Sequence, residues 1–459
     1  MPLGFVENCF MKINLSENKP IYFILTALFV FLIIINYFDN SLLWDENAYL
    51  ANARNFLRGS NYTEDFRFPL LSFLIASLWS VFGETVLSAK LLIMGFAMAS
   101  VYLFYFISFD FFGKKGKTGL LCTIVFGFSG LVLYWGFRVY TDIPAMFFIL
   151  LSFRFMSKEN TSKNTVIAGV SASLAFLMRF PFALFGVSVL AYFAYKKEFR
   201  HILLFLVAAL ITLVPWLSYN YLAHNGDFIY DFKGQFAIVA AYTKFESPLN
   251  HISNFLYAMN ILALFLPAGF YSYSKSNDKL KPLVLTYFAL FVAYFFFLAN
   301  MKISRYIIPF LPFAYIISIK GVELFNKKFV SLICAASLLL GLLLVLPLIY
   351  NGAQCNSNNV VEKSINYVCP QKENSQKKIL VSNYWPYFGY ACNFKVKSFW
   401  NPNLQELINA EKPDYIVYSP QLGDFYDKIL IDANPKIVLE KKISSACGEE
   451  AYIYRVANK

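Results

Sequence analysis

The chain has 459 residues, of which 58% are hydrophobic and 19% aromatic, with a mean hydropathy of +0.51 and a formal net charge of +12. That much apolar surface exceeds what soluble cores need and marks a polytopic membrane protein. The positive charge does not mark a nucleic-acid binder, because the Lys and Arg residues neither form one run nor alternate with aromatics on a soluble surface; they follow the loops.

Residues 1–19 read as a short inner tail, and the apolar run 20–39 as a retained anchor, since no small-residue cleavage site follows it. Ten further runs follow, at 86–109, 118–136, 142–157, 164–179, 181–195, 202–221, 254–273, 282–299, 306–322 and 329–350. Together they predict an α-helical protein with about 11 transmembrane helices, each near the length that a ~30 Å hydrocarbon core requires. With the N-terminus in the cytoplasm, Lys114, Lys115 and Lys117, then Lys158 and Lys163, then Lys196, Lys197 and Arg200 face inward. So do Lys275, Lys279 and Lys281, and Lys320, Lys327 and Lys328, so every short inward loop is basic, as the positive-inside rule expects of a plasma-membrane protein.

The same orientation places the 40–85 loop, the 222–252 loop and everything after residue 350 outside. Residues 40–85 are too many for a turn and contain two apolar stretches, 47–57 and 69–82, which read as helices lying along the outer interface. After residue 350 the long apolar runs stop. Short β-like runs at 378–381, 414–418, 436–439 and 452–456, with a helix at 403–410, make 351–459 a small extracytoplasmic α/β domain appended to the transmembrane domain 1–350. Four of the seven cysteines, Cys355, Cys369, Cys392 and Cys447, lie in it, which suits two disulfides in an oxidising compartment. Of the three connectivities, Cys355–Cys369 with Cys392–Cys447 is favoured because the first pair is local. No CxxC spacing and no His in this domain speak for zinc.

Chemistry-bearing residues gather in the outward segments. Asp45 and Glu46 open the amphipathic stretch Trp44-Asp45-Glu46-Asn47-Ala48-Tyr49, where a helix N-terminus favours an ionised carboxylate. A helix cap and a catalytic carboxylate are equally good readings of Asp45. Arg67 stands in Phe66-Arg67-Phe68-Pro69, with planar donors suited to a phosphate, or else as a snorkelling interfacial cation. Arg138 and Asp142 flank Val139-Tyr140-Thr141, and Asp142 before Ile143-Pro144 also looks like a helix start. Lys302, Arg305 and Tyr306 lead into the span at 306–322 from outside, against the topological preference, which points to an anionic partner such as a substrate or a lipid headgroup.

As an ordered set, these residues resemble the glycosyltransferase C superfamily, specifically the lipid-phosphate-sugar-dependent members such as protein O-mannosyltransferases and the aminoarabinose transferase. The matching features are Asp45, Glu46 and Tyr49; Phe66, Arg67, Pro69 and Leu70; Gly83 followed by Lys90-Leu91; Arg138 four residues before Asp142; and the run from Arg305 and Tyr306 through Pro309 to Pro312. Where the family often has Lys-Pro-Pro, this chain has Arg67-Phe68-Pro69. The resemblance implies an inverting glycosyltransferase with a polyprenyl- or dolichyl-phosphate-sugar donor and an acceptor hydroxyl on a glycan, protein or lipid at the outer face. It implies Asp45 as general base, Asp142 as an orienting carboxylate, and Arg67 and Arg305 holding the departing phosphate. No cofactor is required on this reading. A divalent metal, as oligosaccharyltransferase relatives require, has as its candidates only His224, Asp227 and Asp231 of the long outer loop.

The competing expectation is a transporter or flippase of an anionic lipid or solute. It would need ionisable residues along a path through the bilayer, whereas the clusters lie at one surface, and no internal repeat with matched helix breaks is present.

Overall fold

The computed structural model describes residues 19–39, 41–113, 117–159, 161–241, 247–299, 303–354, 358–369, 379–392, 395–398, 404–420, 431–445 and 448–457. Helix α1 (Lys19–Phe38) carries no charge after its first residue and buries Ile21, Ile24, Leu28, Leu32 and Ile35, an inward stripe at helical spacing. Phe23, Val30, Phe31 and Ile34 point outward, which in a membrane means toward lipid.

The two helices expected in the first outer loop are α2 (Trp44–Arg58) and α3 (Leu70–Phe82), ending at Gly59 and Gly83 with φ of +81° and +82°. Only glycine adopts that backbone without a Cβ penalty. They pack against each other, with the Ser72 hydroxyl donating to Tyr49 O at 3.0 Å. The bundle continues through α4 (Val86–Phe112), α5 (Lys117–Gly127), α6 (Gly130–Trp135), α7 (Asp142–Ser157), α8 (Ser162–Met178), α9 (Ala183–Tyr195) and α10 (Phe199–Ala223). Helices α11 (Tyr230–Ala241) and α12 (Pro248–Met259) occupy the loop predicted at 222–252 and the residues after it, and α13 (Leu266–Ser274) and α14 (Lys281–Val292) follow. A 3₁₀ segment, Ser304–Phe310, leads into α15 (Leu311–Phe325), which is buried along most of its length, and α16 (Lys327–Gln354) is the last long apolar helix.

Among the described residues seven stretches are long and apolar enough to cross a membrane: Lys19–Phe38, Val86–Phe112, Phe199–Ala223, Ile252–Ser274, Lys281–Leu298, Ser304–Phe325 and Lys328–Pro347. The chain is an integral membrane protein. The remaining expected spans are shorter helices; the run 118–136 is broken between α5 and α6, and α7 and α8 have 16 and 17 residues.

Beyond α16, which runs past residue 350, come α17 (Asn358–Val368), β1 (Ile379–Ser382), α18 (Trp385–Cys392), β2 (Lys395–Ser398), α19 (Leu404–Glu411), β3 (Tyr415–Tyr418), β4 (Ile437–Ser444) and β5 (Glu450–Val456). The sheet has the order β2-β1-β3-β5-β4, with β1 parallel to β2 and β3, and β5 antiparallel to β3 and β4. The four expected strands and the expected helix are all present. The fifth strand, β2, is a four-residue edge carrying Lys395 and Lys397, too short and charged to read as a strand.

The expected disulfide pairing is corrected: Cys369 is joined to Cys392, with Cα atoms 5.3 Å apart. The ends of α17 and α18 meet in space, and that proximity outweighs the shorter sequence separation of Cys355 and Cys369. Cys355 and Cys447 lie outside the described residues.

The C-terminal domain is seated on the segment 44–62. One apolar cluster combines Ala51 and Tyr62 with Val360, Trp385, Phe388, Val417 and Ile453, and Trp44 packs against it.

Candidate functional site

Asp45 and Glu46 are neighbours in the first turn of α2, about 100° apart around the helix, and their side chains enter two different networks. Asp45 turns to the guanidinium groups. Arg67 Nη2 donates to its Oδ1 at 2.9 Å and Arg305 Nη2 to its Oδ2 at 2.6 Å. These partners are 22 and 260 residues away in sequence, and Asp45 is not the helix cap: Leu43 holds the N-cap position and both Asp45 oxygens face cations from other segments.

Arg67 is fixed by what flanks it. Phe68 is buried and stacks on Trp216 of α10 with ring centroids 5.3 Å apart, while Phe176 of α8 meets both rings. Pro69 then starts α3. The Arg67 guanidinium lies 5.1 Å from the Tyr49 ring and 5.4 Å from the Phe66 ring, and its Nε donates to Glu64. An interfacial Arg snorkelling to water would not be walled in this way.

Arg305 is placed by the 3₁₀ segment before α15. Its guanidinium carbon lies 4.1 Å from the Tyr140 ring and 5.7 Å from the Trp135 ring, and its Nε comes within 3.7 Å of Asp142 Oδ2. Asp142, the first residue of α7, is fully buried, and Arg179 Nη1 lies 3.5 Å from its Oδ1. Neither contact is a hydrogen bond. Both Asp142 oxygens, Arg305 Nε and the indole Nε1 of Trp135 have no hydrogen-bond partner among the described residues. Four buried polar atoms with unused capacity around one ion-pair cluster are costly unless a polar ligand meets them.

Arg179 escaped the sequence reading. It stands at the C-terminal end of α8, donates from Nη2 to the Tyr306 hydroxyl at 2.5 Å and stacks over that ring at 4.0 Å. A signal was available, for Arg179-Phe180-Pro181 repeats the Arg67-Phe68-Pro69 triplet. In both, the aromatic anchors the turn and the proline opens the next helical segment.

Glu46 and Arg138 belong to the second network. Glu46 accepts from Leu43 N and Val139 N, both at 2.7 Å, and its Oε2 lies 3.4 Å from Arg138 Nη1. Arg138 also pairs with Asp39, itself held by the Ser41 hydroxyl at 2.6 Å, and lies 4.7 Å from the Tyr134 ring. This network ties the start of α2 to the 138–139 loop and so sets where Asp45 stands. Thus Asp45, Asp142, Arg67, Arg305 and Tyr306 come together, Glu46 and Arg138 adjoin them as support, and Lys302 lies outside the described residues.

Burial alone would raise the pKa of Asp45. The charges of Arg67 and Arg305 outweigh it and hold the carboxyl well below the usual range. Asp45 is therefore ionised at every physiological pH.

The three candidate metal ligands do not converge. His224 stacks on Tyr230 at 3.9 Å and Asp227 pairs with Lys233 at 2.9 Å. Asp231 accepts from Trp216 Nε1 at 3.0 Å, and burial lifts its pKa to about 6. Among the described residues no group of three or more His, Cys, Asp or Glu side chains gathers around one point.

The family model for dolichyl-phosphate-mannose-protein mannosyltransferase matches residues 67–219, a stretch that contains Arg67, Asp142 and Arg179. No curated protein matches the chain in sequence. Among solved structures, ArnT from Cupriavidus metallidurans bound to undecaprenyl phosphate superposes with a TM-score of 0.71 at 11% identity, covering 95% of this chain and 98% of that one. The Archaeoglobus fulgidus oligosaccharyltransferase in complex with Zn and sulfate gives 0.56 at 13%, covering 86% and 68%. The arabinofuranosyltransferase AftD from Mycobacteria gives 0.53 at 12%, covering 95% and 40%. Along nearly its whole length the chain shares the fold of ArnT.

Proposed function

We propose that this protein is an inverting glycosyltransferase that takes a sugar from a polyprenyl- or dolichyl-phosphate-linked donor and transfers it to an acceptor hydroxyl on the outer face of the membrane. The carrying observation is the Asp45 carboxylate held between Arg67 and Arg305, with Asp142 and Arg179 beside it. A carboxylate base next to three guanidinium groups is what in-line displacement of a lipid phosphate from a sugar calls for. The match to ArnT bound to undecaprenyl phosphate supports this donor class.

The donor phosphate docks among Arg67, Arg305 and Arg179, whose planar forks suit its oxygens. In the free protein two of these cations are spent on Asp45, which leaves it a weak base. Once the phosphate draws on them, Asp45 regains basicity at the moment it is needed. The acceptor oxygen then attacks the anomeric carbon and its proton passes to Asp45. The bond from the anomeric carbon to the phosphate oxygen breaks, the electron pair leaves with the polyprenyl phosphate, and configuration inverts. The open oxygens of Asp142 and the N–H of Trp135 suit sugar hydroxyls. The three arginines supply the charge that the leaving group requires, so the reading includes no cofactor.

Basic inward loops and a disulfide between Cys369 and Cys392 support an outer location. The test offers polyprenyl-phosphate-mannose, -glucose and -aminoarabinose to purified protein in nanodiscs, with a membrane extract as acceptor source. Release of polyprenyl phosphate by wild type and its loss in Asp45→Asn is the expected result. Binding of the lipid without turnover, unchanged in Asp45→Asn, would move the reading to transport.

A further inference from the structure

Besides Asp45 and the Tyr49 and Phe66 rings, the Arg67 guanidinium is held by Glu64, which takes its Nε. Its carboxylate is buried and takes three donors: Arg67 Nε on Oε2, and the Tyr62 hydroxyl at 2.6 Å and Trp385 Nε1 at 3.0 Å on Oε1. Its backbone is clamped as well, with Glu64 N donating to Asn52 Oδ1 at 2.9 Å and Asn52 Nδ2 donating to Glu64 O at 3.1 Å. Two of the three carboxylate donors therefore act on the oxygen that does not touch Arg67, and they fix the rotation of the group.

One of those donors comes from the C-terminal domain. Trp385 is the first residue of α18, and its ring meets Trp44, the residue before Asp45, edge-on at 4.4 Å. Four residues further along α18, Gly389 lies so close to Tyr62 that an added Cβ would stand 2.3 Å from that ring. At the far end of the helix Arg54 of α2 donates to Tyr390 O. Helix α18 is thus seated along its whole length on the segment that carries Asp45, Glu64 and Arg67.

We propose that Glu64 is a positioning residue for Arg67 and that the indole N–H of Trp385 holds Glu64 in place, so that the C-terminal domain completes the phosphate-binding shell. Without that N–H, Glu64 can rotate to offer both oxygens to Arg67, drawing the guanidinium away from Asp45 and from the donor phosphate. The proposal rests on the lipid-phosphate reading of the site.

The experiment measures undecaprenyl phosphate binding to the full-length protein in nanodiscs. Trp385→Phe keeps the ring and removes the N–H, and Tyr62→Phe removes the other donor while keeping the ring that packs on Gly389. Each is expected to weaken binding about 5- to 10-fold, the range for losing one ordinary hydrogen bond, because Arg67 itself stays in the site. In an Arg67→Gln background both effects should vanish, because the residue they position is gone. A packing role would weaken binding equally in both backgrounds, and that result, or wild-type affinity in both Phe variants, overturns the proposal. If Trp385→Phe fails to fold, Tyr62→Phe and its double variant with Arg67→Gln carry the comparison alone. A wild-type protein that binds no undecaprenyl phosphate sinks the underlying reading instead, and the wild-type titration alone reveals it.

Discussion

Asp45 is shared between two guanidinium groups, and that arrangement makes a base whose strength depends on what else the arginines hold. Its pKa is depressed, so in wild type the carboxylate stays ionised well below the ordinary carboxylate range. The acid limb of kcat/KM should then lie low on the pH axis. In Arg67→Gln burial is opposed by fewer charges, and the pKa of Asp45 rises. The residual activity of that variant should lose its base at a pH about 1 to 2 units higher than in wild type, the size expected for removing one adjacent cation. A pH profile of kcat/KM for both proteins checks this; an acid limb that stays in place would mean that Asp45 is not the titrating base. At this scale the sequence was informative where residues stood in motifs. Asp45, Arg67, Asp142 and Arg305 were all legible as charges standing in motifs at the edges of apolar runs. Arg179 was not, because it closes an apolar run and read as a span boundary. Glu46 was legible as a partner of Asp45 in sequence only, since one step along a helix turns a side chain by about 100°.

The elements that carry these residues are held by close helix packing rather than by a readable motif. Helices α13 and α15 approach so closely that a Cβ on Gly269 would stand 1.9 Å from Ile317 O, and one on Gly321 would stand 2.1 Å from Phe265 O. Small residues that let backbones touch drive helix association where lipid removes the hydrophobic term. Since backbone oxygens cannot swing aside, Gly269→Ala and Gly321→Ala should each destabilise by at least about 1–3 kcal/mol. They should also impair turnover, because α15 follows directly on the segment that positions Arg305. Gly95→Ala in α4 is the internal control: nothing lies within 4 Å of its Cβ, and its thermal midpoint should stay level or rise. Thermal midpoints in detergent, read with transfer rates, test all three. Sequence could not pair Gly269 with Gly321, because their contact spans 52 positions and two helices with no shared spacing.

For the whole molecule, charge patterning and apolar runs gave the division into a membrane bundle and an α/β domain, but not how the two meet. The interface includes Trp44, Ala51 and Tyr62 on one side and Trp385 and Gly389 on the other, residues that looked like ordinary aromatics and small residues within their own segments. Chain connectivity ties the domain to the bundle only through α16, so α18 must be kept on α2 by its own contacts and by whatever limits the domain internally. The Cys369–Cys392 bond, across a sequence separation of 23, joins the end of α17 to the end of α18 and limits it in that way. Replacing both cysteines by Ser should cost about 3 kcal/mol by the loop-entropy relation. It should also raise the KM for the lipid donor, since the helix carrying Trp385 loses a tether. Reductant should reproduce both changes in wild type and add nothing at this bond in the Ser variant. A lower thermal midpoint with an unchanged donor KM would show that the aromatic contacts of α18 suffice to seat it, and that the disulfide protects the domain without tuning the site.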